Sequence, residues 1–259
     1  MRKARVCVLR TAGTNCDQET AFAFSKVDAQ VELVHINRLI ERKKALLDYD
    51  ILAIPGGFTY GDDVAAGKIL ANELRFKLKE DLKRFIQRGK LIIGICNGFQ
   101  VLVKSGLLPG QDDFKQEASL IINDSARFED RWVYLKNFSN KCIWTRNLPE
   151  IIYLPVAHGE GKFVVKDKAT LIRLNKNGQI VFRYSDEKGK LKSYPYNPNG
   201  SQDNIAGICD ETGRIFGLMP HPERHIDFLQ HPHWIKRKNK EGDGLQIFKN
   251  GIEYARLYL

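Results

Sequence analysis

The stretch Leu91-Ile-Ile-Gly-Ile-Cys96-Asn-Gly-Phe-Gln100 decides both the fold class and the place of the chemistry. Its first five residues have no polar face, which predicts a strand buried on both sides, as in a parallel sheet. The strand ends at Cys96, and a helical pattern begins at once. This is the pattern of a nucleophile elbow, where the helix amino terminus stabilises a thiolate. The pattern alone leaves open a cysteine that is merely buried at a strand end.

The same alternation extends from residue 4 to about residue 108. Short apolar runs are separated by segments with helical periodicity. The runs are Arg5–Leu9, Val31–Ile36, Ile51–Ile54 and Leu91–Cys96. The helical patterns cover about 17–27, 38–47, 63–88 and 97–106. Strands alternating with helices predict an α/β fold with a mainly parallel sheet covered on both faces.

The second half of the chain changes to strand-like runs joined by Gly, Asn and Asp turns, which predicts antiparallel additions to the sheet. The runs are Ser119–Asn123, Arg131–Lys136, Ile151–Val156, Leu171–Leu174, Ile180–Tyr184, Ile205–Cys209 and Ile215–Met219. Asn177-Gly178 lies between two of them, which predicts a hairpin. A closing helix is expected over about Gly244 to Leu257.

The length of 259 residues allows one large α/β domain or two small ones. Because no Pro/Gly/Ser-rich linker divides the chain, we expect a single domain over residues 1–259. Its parts would be a parallel core over about 4–108, antiparallel additions carrying the His and Glu over 109–225, and a loop and carboxyl-terminal helix over 226–259.

Composition excludes several classes of protein. A hydrophobic fraction of 43% argues against a disordered, collagen-like or coiled-coil chain. The longest apolar runs are strand-sized, which excludes a membrane span, and the amino terminus carries no signal-peptide pattern. The formal net charge of +10 favours an anionic partner or an acidic protein surface without choosing between them.

The cysteines argue for a reduced, cytoplasmic setting. They are odd in number and widely spaced, and none forms a CxxC pair, which argues against a disulfide framework or a zinc ribbon. The five are Cys7, Cys16, Cys96, Cys142 and Cys209.

Two further segments supply what a thiolate nucleophile needs. Near the end of the chain, Pro220-His221-Pro-Glu223 offers a base in His221 and a carboxylate that can orient it. After the strand Ile51–Ile54, Gly56 and Gly57 free the backbone so that N–H groups can point into a pocket, as in an oxyanion hole. Open α/β sheets bind ligands at these strand ends.

The order of the three elements resembles the class I (triad) glutamine amidotransferases: a Pro-Gly-Gly loop, a Gly-x-Cys-x-Gly-x-Gln elbow and a late His-Pro-Glu. Further segments resemble the glutaminase subunits of phosphoribosylformylglycinamidine synthase within that family. They include Gly13–Asp17, Asn123–Glu129, Leu154–Gly161, Asn197–Ser201, Asn204–Cys209 and the segment that begins at Gly242.

The resemblance implies a flavodoxin-like three-layer fold and a role for each matching residue. The catalytic triad would be Cys96, His221 and Glu223. The oxyanion hole would use backbone N–H groups of Gly57 and Asn97. The residues that bind the substrate glutamine would be Gly56, Gln100, His158 and Gly159.

The resemblance also implies partners. Ammonia released from L-glutamine would pass to a large synthetase subunit, with a small third subunit completing the complex, for ATP-dependent conversion of formylglycinamide ribonucleotide to formylglycinamidine ribonucleotide in purine biosynthesis. This subunit would need no cofactor, because the partner would use ATP and Mg²⁺. The +10 charge then suggests an acidic docking face on that partner.

Three alternatives remain at this stage. The chain could be another class I amidotransferase or cysteine hydrolase of the same fold. It could be a metalloenzyme, since four histidines lie within 13 residues (His221, His225, His231 and His233), but Pro222 discourages a helix and neither zincin order is matched, so we expect no metal. It could bind nucleic acid through its charge, but basic residues are scattered and form no binding motif, so we expect no nucleic acid and no membrane partner.

Overall fold

The computed structural model describes residues 2–110, 113–236 and 241–259, so residues 237–240 of the expected terminal loop lie outside the described residues. The strands of the described residues are β1 (Arg5–Arg10), β2 (Gln30–His35), β3 (Ile51–Ile54), β4 (Leu91–Ile95), β5 (Ala118–Ile121), β6 (Glu129–Asn137), β7 (Ile151–His158), β8 (Lys162–Val165), β9 (Ile180–Ser185), β10 (Ile205–Cys209) and β11 (Ile215–Leu218). Their α-helices are α1 (Asp17–Lys26), α2 (Ile36–Ile40), α3 (Lys68–Lys77), α4 (Lys79–Gln87), α5 (Asn97–Ser105), α6 (Lys168–Lys176) and α7 (Leu245–Tyr258).

The central sheet confirms the α/β prediction. In the described part of the chain it has nine strands in the order β2-β1-β3-β4-β11-β10-β9-β6-β7. The pairs from β2 to β11 are parallel, and those from β11 to β7 are antiparallel. β5 and β8 form a separate antiparallel pair. Every residue of β3, β4 and β11 is buried, so helices and loops cover both faces of the sheet there.

The position of β11 is the feature that builds the site. This late strand lies beside β4 in parallel register, with Ile95 opposite Leu218. Carboxyl ends of parallel strands meet at one edge, so the segments after β4 and β11 become neighbours although more than 100 residues separate them. His221 and Glu223 therefore follow a strand of the parallel part. This corrects the expectation that the antiparallel additions of 109–225 carry them.

One predicted strand and its hairpin are wrong. Leu171–Leu174 lies within helix α6, which begins after Asp167. The Asp167 carboxylate accepts a hydrogen bond from the Thr170 backbone N–H (2.8 Å), a helix cap that outweighs the apolar run. Asn177 and Gly178 follow the end of that helix, where Gly178 has a φ of +65°, and they form no hairpin.

The segment predicted as one helix over 63–88 contains two helices, α3 and α4. α3 ends at Lys77 and α4 begins at Lys79, because Leu78 between them leaves helical geometry with a φ of −118°. The predicted helix over 38–47 is shorter than expected and begins earlier, as α2. Within the described residues, no helix combines the length and the apolar character that crossing a membrane requires.

Candidate active site

Cys96 lies at a strained turn between β4 and α5. Its φ of 51° and ψ of −106° are rare for a residue with a side chain, a strain typical of nucleophile elbows. Its backbone N–H donates to Leu218 O of β11 (2.8 Å), and its thiol lies 3.7 Å from Ala157 O. Gly98 lets the turn form, because a Cβ at this position would lie 1.8 Å from Ile54 O. The turn therefore requires glycine two residues after the cysteine.

His221 and Glu223 form a buried pair next to this turn. His221 Nδ1 lies 2.6 Å from Glu223 Oε1, and both side chains are almost fully buried. The His221 backbone N–H donates to Pro155 O (2.8 Å), which ties the loop to β7. Burial opposes protonation of the imidazole, but the Glu223 carboxylate and the Cys96 thiol raise the pKa of His221 well above its ordinary value. The pair is thus arranged as a base with an orienting carboxylate.

Gly56 lies between Cys96 and His221. A Cβ on this residue would be 2.9 Å from His221 Cε1 and 3.4 Å from Cys96 Cβ, so both side chains flank the glycine. The Cys96 and Cys16 thiols both interact with the His221 side chain and favour its protonated form. An imidazole that interacts with the thiol is placed to accept its proton.

Two backbone N–H groups remain unengaged near the thiol. Gly57 has a φ of +132°, a conformation that favours glycine. Within the described part of the chain, neither the Gly57 N–H nor the Asn97 N–H donates a hydrogen bond. The Asn97 side chain is fixed, because its amide oxygen accepts from Thr59 Oγ1 (2.7 Å) and its amide nitrogen donates to Asp62 Oδ1 (3.0 Å).

A pocket of about 150 Å³ opens beside the thiol. It is lined by Gly57, Phe58, Asp62, Ala66, Cys96, Gln100, Phe128, Ala157, His158, Gly159 and Glu160. Five of the predicted site residues line it: Cys96, Gly57, Gln100, His158 and Gly159. The other four, Gly56, Asn97, His221 and Glu223, lie on adjacent turns of the same strand ends.

The Gln100 side chain connects two walls of this pocket. Its amide nitrogen donates to Glu160 O (2.6 Å), and its amide oxygen accepts from Asn97 Nδ2 (2.8 Å). Helix α5 is thereby joined to the segment after β7. In this structure Gln100 braces the pocket through both ends of its amide.

His158 and Gly159 are held by Asn123, a residue outside the predicted site. Asn123 Nδ2 donates to His158 O (2.8 Å), and the Asn123 backbone N–H donates to Gly159 O (2.9 Å). Burial, with a contribution from nearby His221, lowers the pKa of His158 to about 3. The imidazole of His158 is therefore neutral at physiological pH, and it closes one side of the pocket without adding charge.

Exchanging His158 for asparagine should change how the unfolding free energy depends on pH, because the buried imidazole of the wild type resists protonation. A folded-state pKa below the unfolded value of about 6.5 gives stability that is present above pH 6.5 and lost as the pH falls towards 3. Between pH 7 and pH 5 the wild-type protein should lose about 2 kcal/mol more unfolding free energy than His158→Asn. Urea titrations at both pH values measure this difference. Exposed His233→Asn is the control, and equal losses in wild type and His158→Asn would contradict the assignment.

Cys16 is a second thiol at the site that the sequence did not assign. Arg224 Nη2 lies 3.2 Å from Cys16 Sγ and forms an ion pair with Glu19 (2.9 Å). Ligand atoms of Cys16, His221 and Glu223 lie within 4.8 Å of one another. Burial raises the pKa of the Cys16 thiol to about 11, so Cys16 is an uncharged neighbour of His221 and Glu223 at neutral pH.

The histidines of the metalloenzyme alternative lie in a different environment. His225 and His231 pack against the ring of Trp132, with ring centroids 5.0 and 5.6 Å apart. His225 Nδ1 lies 2.8 Å from Tyr153 O. Aromatic packing and a backbone contact explain the positions of these two rings, whereas His221 belongs to the separate pair with Glu223.

Sequence reasoning missed Asp62, Asn123 and Glu160, although all three contribute to the pocket. Asp62 and Glu160 line it, and Asn123 holds the backbone opposite the thiol. Asn123 and Glu160 lie in segments that carry the family resemblance, Asn123–Glu129 and Leu154–Gly161, but sequence reasoning assigned these two residues no role. Their convergence depends on how three loops fold back together, which residue spacing does not specify.

Comparison with known proteins agrees with this geometry. Residues 3–255 match the family described as the CobB/CobQ-like glutamine amidotransferase domain. A phosphoribosylformylglycinamidine synthase subunit PurQ of Dehalococcoides mccartyi is 50% identical over 259 residues, covering 99% of each chain. The PurQ subunit of Methanococcus maripaludis is 46% identical over 265 residues, covering 96% of this chain and 98% of the relative.

A solved structure is also similar over nearly the whole length. The structure of PurLQS from Thermotoga maritima contains a chain with a TM-score of 0.75 and 32% identity, covering 98% of this chain and 99% of that one. Similarity over this length places the strained cysteine, the buried His–Glu pair and the pocket within the matched region.

Proposed function

Because the chain belongs to the PurQ family of glutamine amidotransferases, we propose that it is the glutaminase subunit of phosphoribosylformylglycinamidine synthase. It hydrolyses L-glutamine to glutamate and ammonia and supplies the ammonia for purine biosynthesis. The observation that best supports this chemistry is the Cys96 elbow beside the buried His221–Glu223 pair, above a pocket about 150 Å³ in volume.

The proposed mechanism begins when the Cys96 thiol gives its proton to His221 and Sγ attacks the side-chain carboxamide of glutamine. The C–S bond forms, negative charge develops on the amide oxygen, and the N–H groups of Gly57 and Asn97 donate to that oxygen. One such donor typically lowers the barrier by about 3–4 kcal/mol. His221 then protonates the leaving nitrogen, the C–N bond breaks, and ammonia departs to leave a γ-glutamyl thioester.

Hydrolysis of the thioester completes the cycle. His221 accepts a proton from water, the resulting hydroxide attacks the acyl carbon, and the C–S bond breaks to release glutamate and regenerate the thiol. Glu223 keeps the imidazole in the orientation that both steps require and stabilises its protonated form. Gly56, Gln100, His158 and Gly159 shape the site in which the substrate lies.

The partners follow from the same family. We propose that a large synthetase subunit receives the ammonia and converts formylglycinamide ribonucleotide to formylglycinamidine ribonucleotide, and that a small third subunit completes the complex. ATP and Mg²⁺ are used by the synthetase subunit, and this subunit works without a cofactor in the cytoplasm. Residues 1–259 act as one glutamine amidotransferase domain, whose positive charge complements an acidic face of the partner.

An isotope experiment tests the delivery of ammonia. The reconstituted complex is given glutamine labelled with nitrogen-15 in its amide, together with unlabelled ammonium in the solution. We expect formylglycinamidine ribonucleotide enriched in nitrogen-15 above the fraction in free ammonium, as measured by mass spectrometry. Enrichment equal to that of free ammonium would show release into solution, and unlabelled product would contradict glutaminase activity altogether.

Glu223→Gln should change both the rate and the pH dependence of glutamine hydrolysis. Without the carboxylate, burial lowers the pKa of His221, so the imidazolium deprotonates at lower pH than in the wild type. We expect kcat/KM to fall about 10³-fold and the alkaline limb of its pH profile to move down by about one pH unit or more. Exposed Glu187→Gln is the matched control. An unchanged alkaline limb in Glu223→Gln would contradict the role of this carboxylate.

A further inference from the structure

Two acidic residues from different loops line the pocket. Asp62 lies in the loop after β3, and Glu160 lies in the segment after β7. Both line the pocket together with Cys96. The loop after β3 also contributes Gly57 to this lining, and the segment after β7 also contributes Gly159. A substrate bound beside the thiol therefore lies in a pocket whose lining includes two acidic residues.

The charges of the pocket are unbalanced. Among its lining residues, all of them described, Asp62 and Glu160 are acidic and none is a lysine or arginine. The nearest basic group to Glu160 is buried Lys104, whose Nζ lies 3.5 Å from Glu160 Oε2 and donates to Ala66 O (2.7 Å). One cation near two carboxylates leaves a net negative charge. Burial and the neighbouring Glu160 raise the pKa of Asp62, as expected for two acids that share a small volume.

Hydrogen bonds fix both carboxylates in place. Asp62 Oδ1 accepts from Asn97 Nδ2 (3.0 Å), and Glu160 Oε2 accepts from the Ala66 backbone N–H (3.3 Å). Gln100 connects the two supports, because it binds both Asn97 and the Glu160 backbone. The carboxylates are thus preorganised on a rigid frame, which is how a protein places charge for recognition.

From this placement we propose that Asp62 and Glu160 bind the α-ammonium group of L-glutamine while its carboxamide reaches Cys96. The inference rests on the proposed glutaminase function and adds the residues that select an α-amino acid. The ammonium brings the positive charge that the pocket lacks. A simple amide without that group would leave both carboxylates uncompensated and would bind weakly.

The test compares glutamine with glutaramate, the same molecule without the α-amino group. KM for glutamine hydrolysis and the Ki of glutaramate as its competitor are measured for wild type, Asp62→Asn and Glu160→Gln in the reconstituted complex. We expect each substitution to raise KM for glutamine about 10- to 100-fold, the range of a charge-assisted hydrogen bond. The Ki of glutaramate should change less than about threefold in the same variants.

Controls separate recognition from damage to the fold. Asp63→Asn makes the same substitution one residue later, at an exposed position outside the pocket lining, and should leave both constants unchanged. Co-elution of each variant with the synthetase subunit in size-exclusion chromatography verifies that the subunits assemble. Equal weakening of glutamine and glutaramate, or an unaltered KM for glutamine, would overturn this inference. A wild-type complex that does not hydrolyse glutamine would overturn the proposed function instead.

Discussion

Replacement of Cys96 by alanine is expected to abolish glutamine-dependent synthesis and to preserve ammonia-dependent synthesis by the reconstituted complex. Without Sγ no thioester forms, and the remaining groups cannot substitute for a covalent nucleophile. The loss should be about 10⁴-fold or more in kcat for glutamine hydrolysis. Product formation is measured once with glutamine and once with a high concentration of ammonium as nitrogen source.

A second cysteine provides the matched control. Cys209 is fully buried in β10, on the antiparallel side of the sheet, so Cys209→Ala removes a thiol without touching the elbow. This variant should retain glutamine-dependent synthesis. Loss of both activities in Cys96→Ala would mean that Cys96 maintains the fold or the docking of the subunits, contrary to its assignment as nucleophile.

Replacement of Gly98 by alanine should damage both stability and catalysis. The new Cβ would lie 1.8 Å from Ile54 O, a backbone atom of β3, so α5 must move away from the sheet. We expect the free energy of unfolding to fall by about 3 kcal/mol or more. Because displacement of the elbow misplaces Sγ, kcat/KM should fall about 100-fold or more in the fraction that remains folded. Denaturant titration and glutaminase assays measure the two effects.

Gly110→Ala is the control for that substitution. A Cβ there would lie 3.7 Å from Glu117 Oε2, an ordinary contact, and the backbone of Gly110 does not require a positive φ. The expected change in unfolding free energy is within about 0.5 kcal/mol. If Gly98→Ala were as mild as Gly110→Ala, the tight approach of α5 to β3 would be incorrect.

The parallel half of the fold was predictable because its strands are buried on both faces. Leu91–Ile95 and Ile51–Ile54 are apolar without alternation, and helices with clear periodicity follow them. The second half was harder. Leu171–Leu174 is as apolar as a strand, and only the Asp167 cap shows that it belongs to a helix. The place of β11 beside β4 depends on tertiary pairing, which local pattern does not determine.

The site residues show the same difference between what a local sequence pattern indicates and what only the folded chain brings together. Cys96 could be proposed from the sequence because an apolar strand, a cysteine between two glycines and a helical pattern occur in one short segment. His221 and Glu223 could be proposed because such a cysteine needs a base and a carboxylate, and they follow a predicted strand late in the chain. Asp62 and Glu160 were not, since nearly 100 residues separate them and their roles arise only when the loops after β3 and β7 meet. An acidic residue in a loop is usually just solvated, so the residue pattern did not single out Asp62, or Glu160 within the segment Leu154–Gly161.

The most direct test asks whether a covalent intermediate forms on Cys96. The protein is quenched with acid during turnover of L-glutamine, and its peptides are analysed by mass spectrometry. A thioester intermediate should appear as one γ-glutamyl group on the peptide that contains Cys96, and this adduct should disappear in Cys96→Ala. Glu223→Gln should alter the amount of adduct and leave its position unchanged. Glutamate formation with the adduct on Cys16, or with no adduct on any cysteine, would contradict the assignment of Cys96 as the nucleophile.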